Sequence, residues 1–253
     1  MKFALVNDVR SEAYPKLKGK CPVCGNETIS KCGDIMVHHW AHSKSSECDR
    51  WWESESKWHR DWKNLFPEDW QEVTHDNING EMHRADVTNI HGWVLEFQHS
   101  YLKDSEVKVR SEFYKKIIWV VDGLKARNGR EQFLKFLEHG NYFTRTPGTV
   151  LAGKSIPSIV KKWIGSAKLV LIDIGHASTL FSIHRTNLGV FVIEIPRQYI
   201  INATLEKTVD GLEEFNNQID KHINSLNSIE NVPARGFLAS IPHFIFNSDG
   251  TIT

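Results

Sequence analysis

Two short segments restrict this chain more than any other part of it: Arg84-Ala85-Asp86-Val87, and Trp93-Val94-Leu95-Glu96-Phe97-Gln98-His99-Ser100. Their residue types predict two strands, with turn residues at Asn89 to Gly92 between them. Strand side chains alternate with period two, so Glu96 and Gln98 share one face with Val94, while Leu95 and Phe97 point into apolar packing. An Asp on one strand and a Glu on the next, with a polar residue two further along, supply oxygen donors of the kind that hold magnesium. The plainer alternative is a hairpin with two solvated carboxylates.

The chain has 253 residues, enough for one large domain or two small ones. Hydrophobic residues make up 40% and charged residues 25%, which fits a folded soluble protein. Apolar runs such as Leu169 to Ile172 are strand-sized, far short of a membrane span. Phe3-Ala4-Leu5-Val6 is too short for the core of a signal peptide, so a cytoplasmic location is expected. The 31 basic and 31 acidic residues cancel, which argues against non-specific coating of nucleic acid but leaves room for a local basic cleft.

All four cysteines fall within the first fifty residues, which in a cytosolic chain favours a metal over a disulfide. Cys21-Pro22-Val23-Cys24-Gly25 is a knuckle that aims two thiolates at one ion, and structural zinc needs two more ligands. On spacing, His38 with His42, His39 with His42, and His42 with Cys48 serve equally. The set adopted is Cys21, Cys24, His42 and Cys48, with His39 as the alternate. Cys32 reads as a small buried hydrophobe. A redox Cys-x-x-Cys is the rival, but no βαβ pattern surrounds it.

Asp49 to Phe66 has helical spacing at Trp51, Glu55, Trp58, Trp62 and Leu65, with Pro67 as the stop. Glu55, His59 and Lys63 follow at four-residue steps and line one stripe. Such a stripe is ordinarily a surface ladder; here it adjoins tryptophans and directly precedes the strands. Trp51, Trp52, Trp58, Trp62 and Trp70 predict a dense packing centre. Trp70 to Thr74 reads as a third strand before the turn Asn77 to Gly80. A helix over Ser105 to Tyr114 and the unbroken apolar strand Ile117 to Val121 follow, the latter buried on both faces. Helix, three strands, helix, strand describes an α/β core with a mixed sheet.

Beyond it, Arg130 to His139 is an amphipathic helix and Thr144 to Pro157 a turn-rich linker. Lys168–Ile174, Thr179–His184 and Gly189–Ile195 are strands, with Asp173 and Glu194 expected at edge positions. Leu205, Leu212, Ile219 and Leu226 recur every seven residues, with Val209, Asn216 and Ile223 between them. This heptad seam either pairs two copies through residues 203–230 or packs on the chain's own strands, the second being the better match to its three heptads.

From Cys21 to Asp122 the chain resembles the CoiA-like competence-protein family of the PD-(D/E)XK nuclease superfamily. The resemblance rests on several ordered motifs: Cys21-x-x-Cys24; His39-Trp40-Ala41-His42; Glu55, His59 and Lys63; and Arg84-x-Asp86-Val87. It continues through Glu96-x-Gln98-x-Ser100, Arg110-x-x-x-Tyr114 and Ile118-Trp119-Val120-Val121-Asp122. It implies a restriction-endonuclease-like mixed sheet flanked by helices over residues 49–140. A zinc-binding module over 1–48 would precede it, and an accessory α+β region over 141–253 would follow.

The resemblance also implies that Asp86, Glu96 and Glu55 bind magnesium or manganese, with Gln98 where the superfamily usually has lysine. An amide does not titrate, so His59 or Lys63 is expected to supply the basic or cationic role. His83 and His99 flank the strands and are expected at the solvated surface rather than on phosphate. The expected activity is metal-dependent hydrolysis of phosphodiester bonds in incoming, recombining or foreign DNA. The rival expectation is a non-catalytic nucleic-acid-binding subunit of a DNA-processing or defence complex.

Overall fold

Phe3-Ala4-Leu5-Val6 forms the first strand in the computed structural model, which describes residues 1–43, 48–51, 53–139, 141–142, 149–151 and 155–228. The described chain divides into two compact units, Met1–Thr88 with Val94–Ser100, and Asn89–Trp93 with the residues from Tyr101 onward. Among the described residues no helix is long and apolar enough to cross a membrane.

The first unit opens with β1 (Phe3–Val6), β2 (Val9–Glu12), β3 (Lys18–Lys20), β4 (Glu27–Lys31) and β5 (His39–His42), ordered β2-β1-β3-β4-β5 and antiparallel. Alternation assigns its inner face: Ala4, Thr28 and Trp40 are each 0% exposed. Gly19 lies on that face, where a Cβ would stand 2.9 Å from the Leu5 carbonyl oxygen and 3.3 Å from Ala4 Cβ. The Trp40 indole donates to the Ser11 carbonyl at 2.9 Å, which lets a large ring be buried without an orphaned N–H.

Helix α1 (Lys57–Lys63) follows, then a 3-10 turn (Glu68–Trp70) and the meander β6 (Gln71–Asp76), β7 (Met82–Thr88) and β8 (Val94–Gln98). The helix is much shorter than its expected span of Asp49 to Phe66. Ser56 accepts a hydrogen bond from His59 N at 3.2 Å and starts the helix as its N-cap. Asp49 accepts one from Trp51 N at 2.9 Å, holding the preceding backbone in a turn. Glu55 therefore precedes the helix instead of riding on it. Trp62, 2% exposed, stacks on Phe97 with ring centroids 5.4 Å apart, and Trp58 meets the same ring edge-on at 6.5 Å. Trp52 lies outside the described residues.

The second unit contains α2 (Asp104–Tyr114), β9 (Ile117–Asp122), α3 (Gly129–Glu138), β10 (Asn141–Tyr142) and β11 (Thr149–Leu151). It continues with α4 (Ser158–Trp163), β12 (Val170–Asp173), β13 (Thr179–Thr186), β14 (Gly189–Pro196), α5 (Arg197–Leu205) and α6 (Gly211–Asn227). Its strands run in the order β10-β11-β14-β13-β12-β9; β9 and β12 are parallel and the other pairs antiparallel. The result is a mixed α/β architecture with the expected order of helix, three strands, helix, strand. Every residue of β9 is buried, as an unbroken apolar run requires.

Three expectations change here. Thr149–Leu151, inside the expected linker, form a strand, while 144–148 and 152–154 lie outside the described residues. Asp173 and Glu194 are not on edge strands. β12 lies between β9 and β13, and β14 between β13 and β11. Asp173 is 2% exposed and pairs with Arg197 at 2.7 Å, whereas Glu194 faces solvent.

The third change concerns the heptad segment, which is two helices rather than one. Glu206 accepts hydrogen bonds from Lys207 N and Thr208 N, each at 2.8 Å, and Asp210 caps Glu213 N at 3.0 Å, so a new helix begins there. Val209 is left 58% exposed between them. Leu212, Asn216, Ile219 and Leu226 are buried, and α6 packs on α5 and β13 within its own unit. The seam packs within its own unit, the better of the two expected arrangements.

Candidate functional site

The N-terminal cysteines come together because a tight turn follows β3. Cys21 N donates to the Asn26 carbonyl at 2.8 Å and Gly25 N to the Cys21 carbonyl at 2.9 Å; Gly25 takes φ +71°, a left-handed conformation that glycine adopts without strain. Cys21 Sγ stands 3.7 Å from Cys48 Sγ, and Cys24 Sγ stands 3.3 Å from His42 Nε2. All four ligand atoms lie within 4.8 Å of one another. A tetrahedron with metal–sulfur bonds of about 2.3 Å has edges of roughly 3.7 Å, so the donor set and its spacing fit a structural metal such as zinc. Burial, and then the neighbouring Cys21, push the Cys48 thiol up to about 12. A bound ion reverses that preference, since thiolate is the ligand form.

The other candidates are placed elsewhere. His39 turns its Nδ1 to the Val37 carbonyl at 2.9 Å. Cys32, expected as a small buried hydrophobe, is half-buried and packs against the apolar cluster of Ala4, Ala13 and Trp40.

The second site is built where the β7–β8 ladder ends. Register pairs Val87 with Leu95 and Thr88 with Val94, which sets Asp86 directly across from Glu96. In place of continued ladder bonds, each carboxylate takes a backbone N–H of the opposite strand. Asp86 Oδ2 accepts from Phe97 N at 2.9 Å and Glu96 Oε1 accepts from Asp86 N at 3.2 Å. These bonds fix both side chains. Asp86 Oδ1 also meets His59 Nε2 at 2.7 Å. Burial would raise the Asp86 carboxyl, but His59 and Lys63 outweigh it and hold the group below its ordinary value. His59, on the helix that precedes the strands in sequence, thus stands against Asp86.

Lys63 is 2% exposed and binds Glu55 Oε1 at 2.8 Å and Glu72 Oε1 at 2.9 Å. Burial opposes its charge; Glu72 and Glu55 prevail and raise the ammonium above its ordinary value. Lys63 is therefore a fixed cation, unsuited to take a proton. Arg60 completes the grip on Glu55 at 2.5 Å. Against a burial effect that raises it, Lys63 and Arg60 bring Glu55 down to about 2. Glu55 is held by these two cations. Among the described residues, the Cys21, Cys24, His42 and Cys48 cluster alone joins three or more metal-type donors that closely, so any ion at Asp86 and Glu96 would fill its remaining positions with water or substrate oxygens.

Gln98, 3% exposed, donates its amide to both oxygens of Glu53, at 2.9 and 2.8 Å, and to the Ser100 carbonyl at 3.1 Å. The carboxylate beside Gln98 is therefore Glu53, which sequence reasoning missed because it carries no periodic signal. Glu72 was missed too. It stands across from Asp86 between the pairs Gln71–Val87 and Val73–Ala85, at φ +51°, and accepts from Lys2 N at 2.6 Å and Phe3 N at 3.2 Å. A left-handed glutamate within a strand is a strained conformation held by its surroundings.

His83 corrects the surface expectation. It is 2% exposed, stacks on Trp51 with centroids 3.2 Å apart, and bonds Asp49 through Nδ1 at 2.9 Å. His99 is half-buried beside Trp58.

Asp49 directly follows Cys48 of the cluster. Besides His83 it accepts from Arg84 N at 2.9 Å, so one buried carboxylate ties the metal-type cluster to the strand that carries Asp86.

Comparison with known proteins gives one partial likeness. No curated protein and no solved structure matches the chain. Residues 9–50, which carry the whole Cys21, Cys24, His42 and Cys48 cluster, match the family model for competence protein CoiA, N-terminal domain.

Proposed function

We propose that the chain is a metal-dependent nuclease that hydrolyses phosphodiester bonds in DNA at Asp86 and Glu96. The observation that carries this reading is the cross-strand carboxylate pair, each member locked by a backbone N–H, with His59 on one of them and the buried Lys63 cation close by. In this reading the first unit carries a nuclease core of the restriction-endonuclease-like kind, with a structural zinc on the N-terminal cluster.

Asp86 and Glu96 would hold a magnesium or manganese ion, which supplies a more acidic bound water and offsets phosphate charge. His59 orients Asp86 and is placed to exchange a proton with water at that carboxylate. Lys63 helps to hold the Asp86 carboxyl low without giving up its own proton. Gln98 holds Glu53 in place and performs no proton transfer.

The experiment is cleavage of plasmid, linear and branched DNA with added magnesium or manganese, wild type beside Glu96→Ala. Cutting that needs both the ion and Glu96 is expected, with a loss of at least a hundredfold in the variant. Cutting that survives Glu96→Ala would overturn the assignment.

A second reading is a non-catalytic nucleic-acid-binding subunit of a DNA-processing or defence complex. It is favoured by the absence of a lysine at Gln98 and by the engagement of Gln98 and Lys63 with carboxylates. Retained DNA binding with no cutting of any substrate would select it.

A further inference from the structure

The two faces of the N-terminal sheet have different tasks. The inner face of β3, β4 and β5 carries Gly19, Thr28, Trp40 and the ligand His42. Alternation puts Lys18, Lys20, Lys31 and His39 on the outer face, where the three lysines are exposed and His39 is half-buried. Glu27, opposite Lys20, is the one acid on that face of the three strands. Among the described residues, Lys18, Lys20 and Lys31 join no ion pair, although seven other lysines do: Lys2, Lys57, Lys63, Lys116, Lys135, Lys162 and Lys168.

The register orders these cations into a line. Lys18 faces Ile29, two residues from Lys31 on the same strand, and Lys31 faces His39 directly. Directly opposed Cβ atoms lie about 5 Å apart and diagonal neighbours roughly 7–8 Å apart, so the stripe crosses three strands in steps of that size. Beyond Lys31 and His39, the β4–β5 connection presents Ile35, 100% exposed, and Met36, 50% exposed. Apolar side chains of these types, next to a line of cations, suit contact with exposed bases while ammonium groups follow the phosphates.

We infer that the outer face of β3–β5 is a docking surface for the sugar–phosphate backbone of a nucleic acid, with Ile35 and Met36 against its bases. The inference rests on the nuclease reading for its choice of occupant, since it supplies a substrate-holding surface on the unit that carries Asp86 and Glu96. A chain with no net charge needs such a surface, because its overall field offers a polyanion no attraction.

The test is fluorescence anisotropy of the full chain with labelled single-stranded and duplex oligonucleotides across a salt series. No magnesium is added. The triple variant Lys18→Ala, Lys20→Ala, Lys31→Ala should weaken single-strand binding at least tenfold, and its salt slope should fall by about 2. Lys57→Ala, Lys135→Ala, Lys168→Ala, which removes three paired lysines, should leave the slope unchanged. Ile35→Ser with Met36→Ser should lower affinity without altering the slope.

Equal losses from the two lysine triples, or an unchanged slope in the first, would overturn the inference. So would tighter binding to phosphatidylserine vesicles through the same three lysines, which would assign the face to a lipid surface. Wild-type binding without cutting under added magnesium or manganese counts against the nuclease reading, and absence of a lysine effect on binding counts against this one.

Discussion

Lys63 shows how one residue decides the chemistry around it. Its position between Glu55 and Glu72 puts three charges where water hardly reaches. A buried ion cluster adds little over an apolar replacement of the whole set, but removing a single member leaves bare charges behind. Lys63→Met should therefore cost about 3–5 kcal/mol in urea unfolding and should not be rescued by high salt. A cost under about 1 kcal/mol would mean that solvent reaches the two carboxylates. The stripe Glu55, His59, Lys63 was legible as spacing, but Glu55 precedes the helix; His59 meets Asp86, and Lys63 binds Glu55 and Glu72. The partner that sets the Lys63 charge was not legible. Glu72 lies on another element, and its left-handed backbone within a strand has no signal in the residue pattern.

At the scale of elements, the short helix and the divided heptad have the same cause. Local side-chain caps outcompete periodicity. Ser56 and Asp210 each offer an oxygen to the backbone N–H three residues on, and the helix starts there whatever the apolar spacing says. The strand pair was easier to read, because alternation and turn residues agree at Asp86 and Glu96. The metal-type donors were open on spacing alone; strand alternation in β5 separates His42 from His39, and His42 is the one that joins Cys21, Cys24 and Cys48.

Asp49 joins two of these elements. Its carboxylate holds His83, Arg84 N and Trp51 N at once, so Asp49→Ala should destabilise the first unit by about 2–4 kcal/mol. It should also weaken zinc binding about tenfold, measured by competition with a chromophoric chelator, since supports of metal ligands act on affinity. Unaltered zinc affinity in a destabilised variant would separate Asp49 from the cluster.

For the whole molecule, the buried ionisable groups set two separate acid responses. In the second unit His184 is 8% exposed and shares a hydrogen bond with Ser182 Oγ at 2.7 Å. Burial, with His222 nearby, lowers its imidazolium to about 4 from 6.5, and Asp220 opposes this only in part. The unfolded chain then binds a proton that the folded chain refuses. Stability is full above pH 6.5 and falls as pH drops toward about 4, by on the order of 3 kcal/mol. In the first unit Glu55 is depressed to about 2 from 4.5, so its contribution is full above 4.5 and lost as pH falls toward about 2. Glu72 and Asp86 are depressed in the same sense.

Mild acid should therefore weaken the second unit before the ion cluster of the first. His184→Gln, which keeps a donor near Ser182, should flatten the dependence of unfolding free energy between pH 6.5 and 4. The steeper loss below pH 4.5 should remain. An unchanged slope in the upper window would show that His184 carries no part of it, and would pass that role to the buried His222, whose imidazolium burial also lowers.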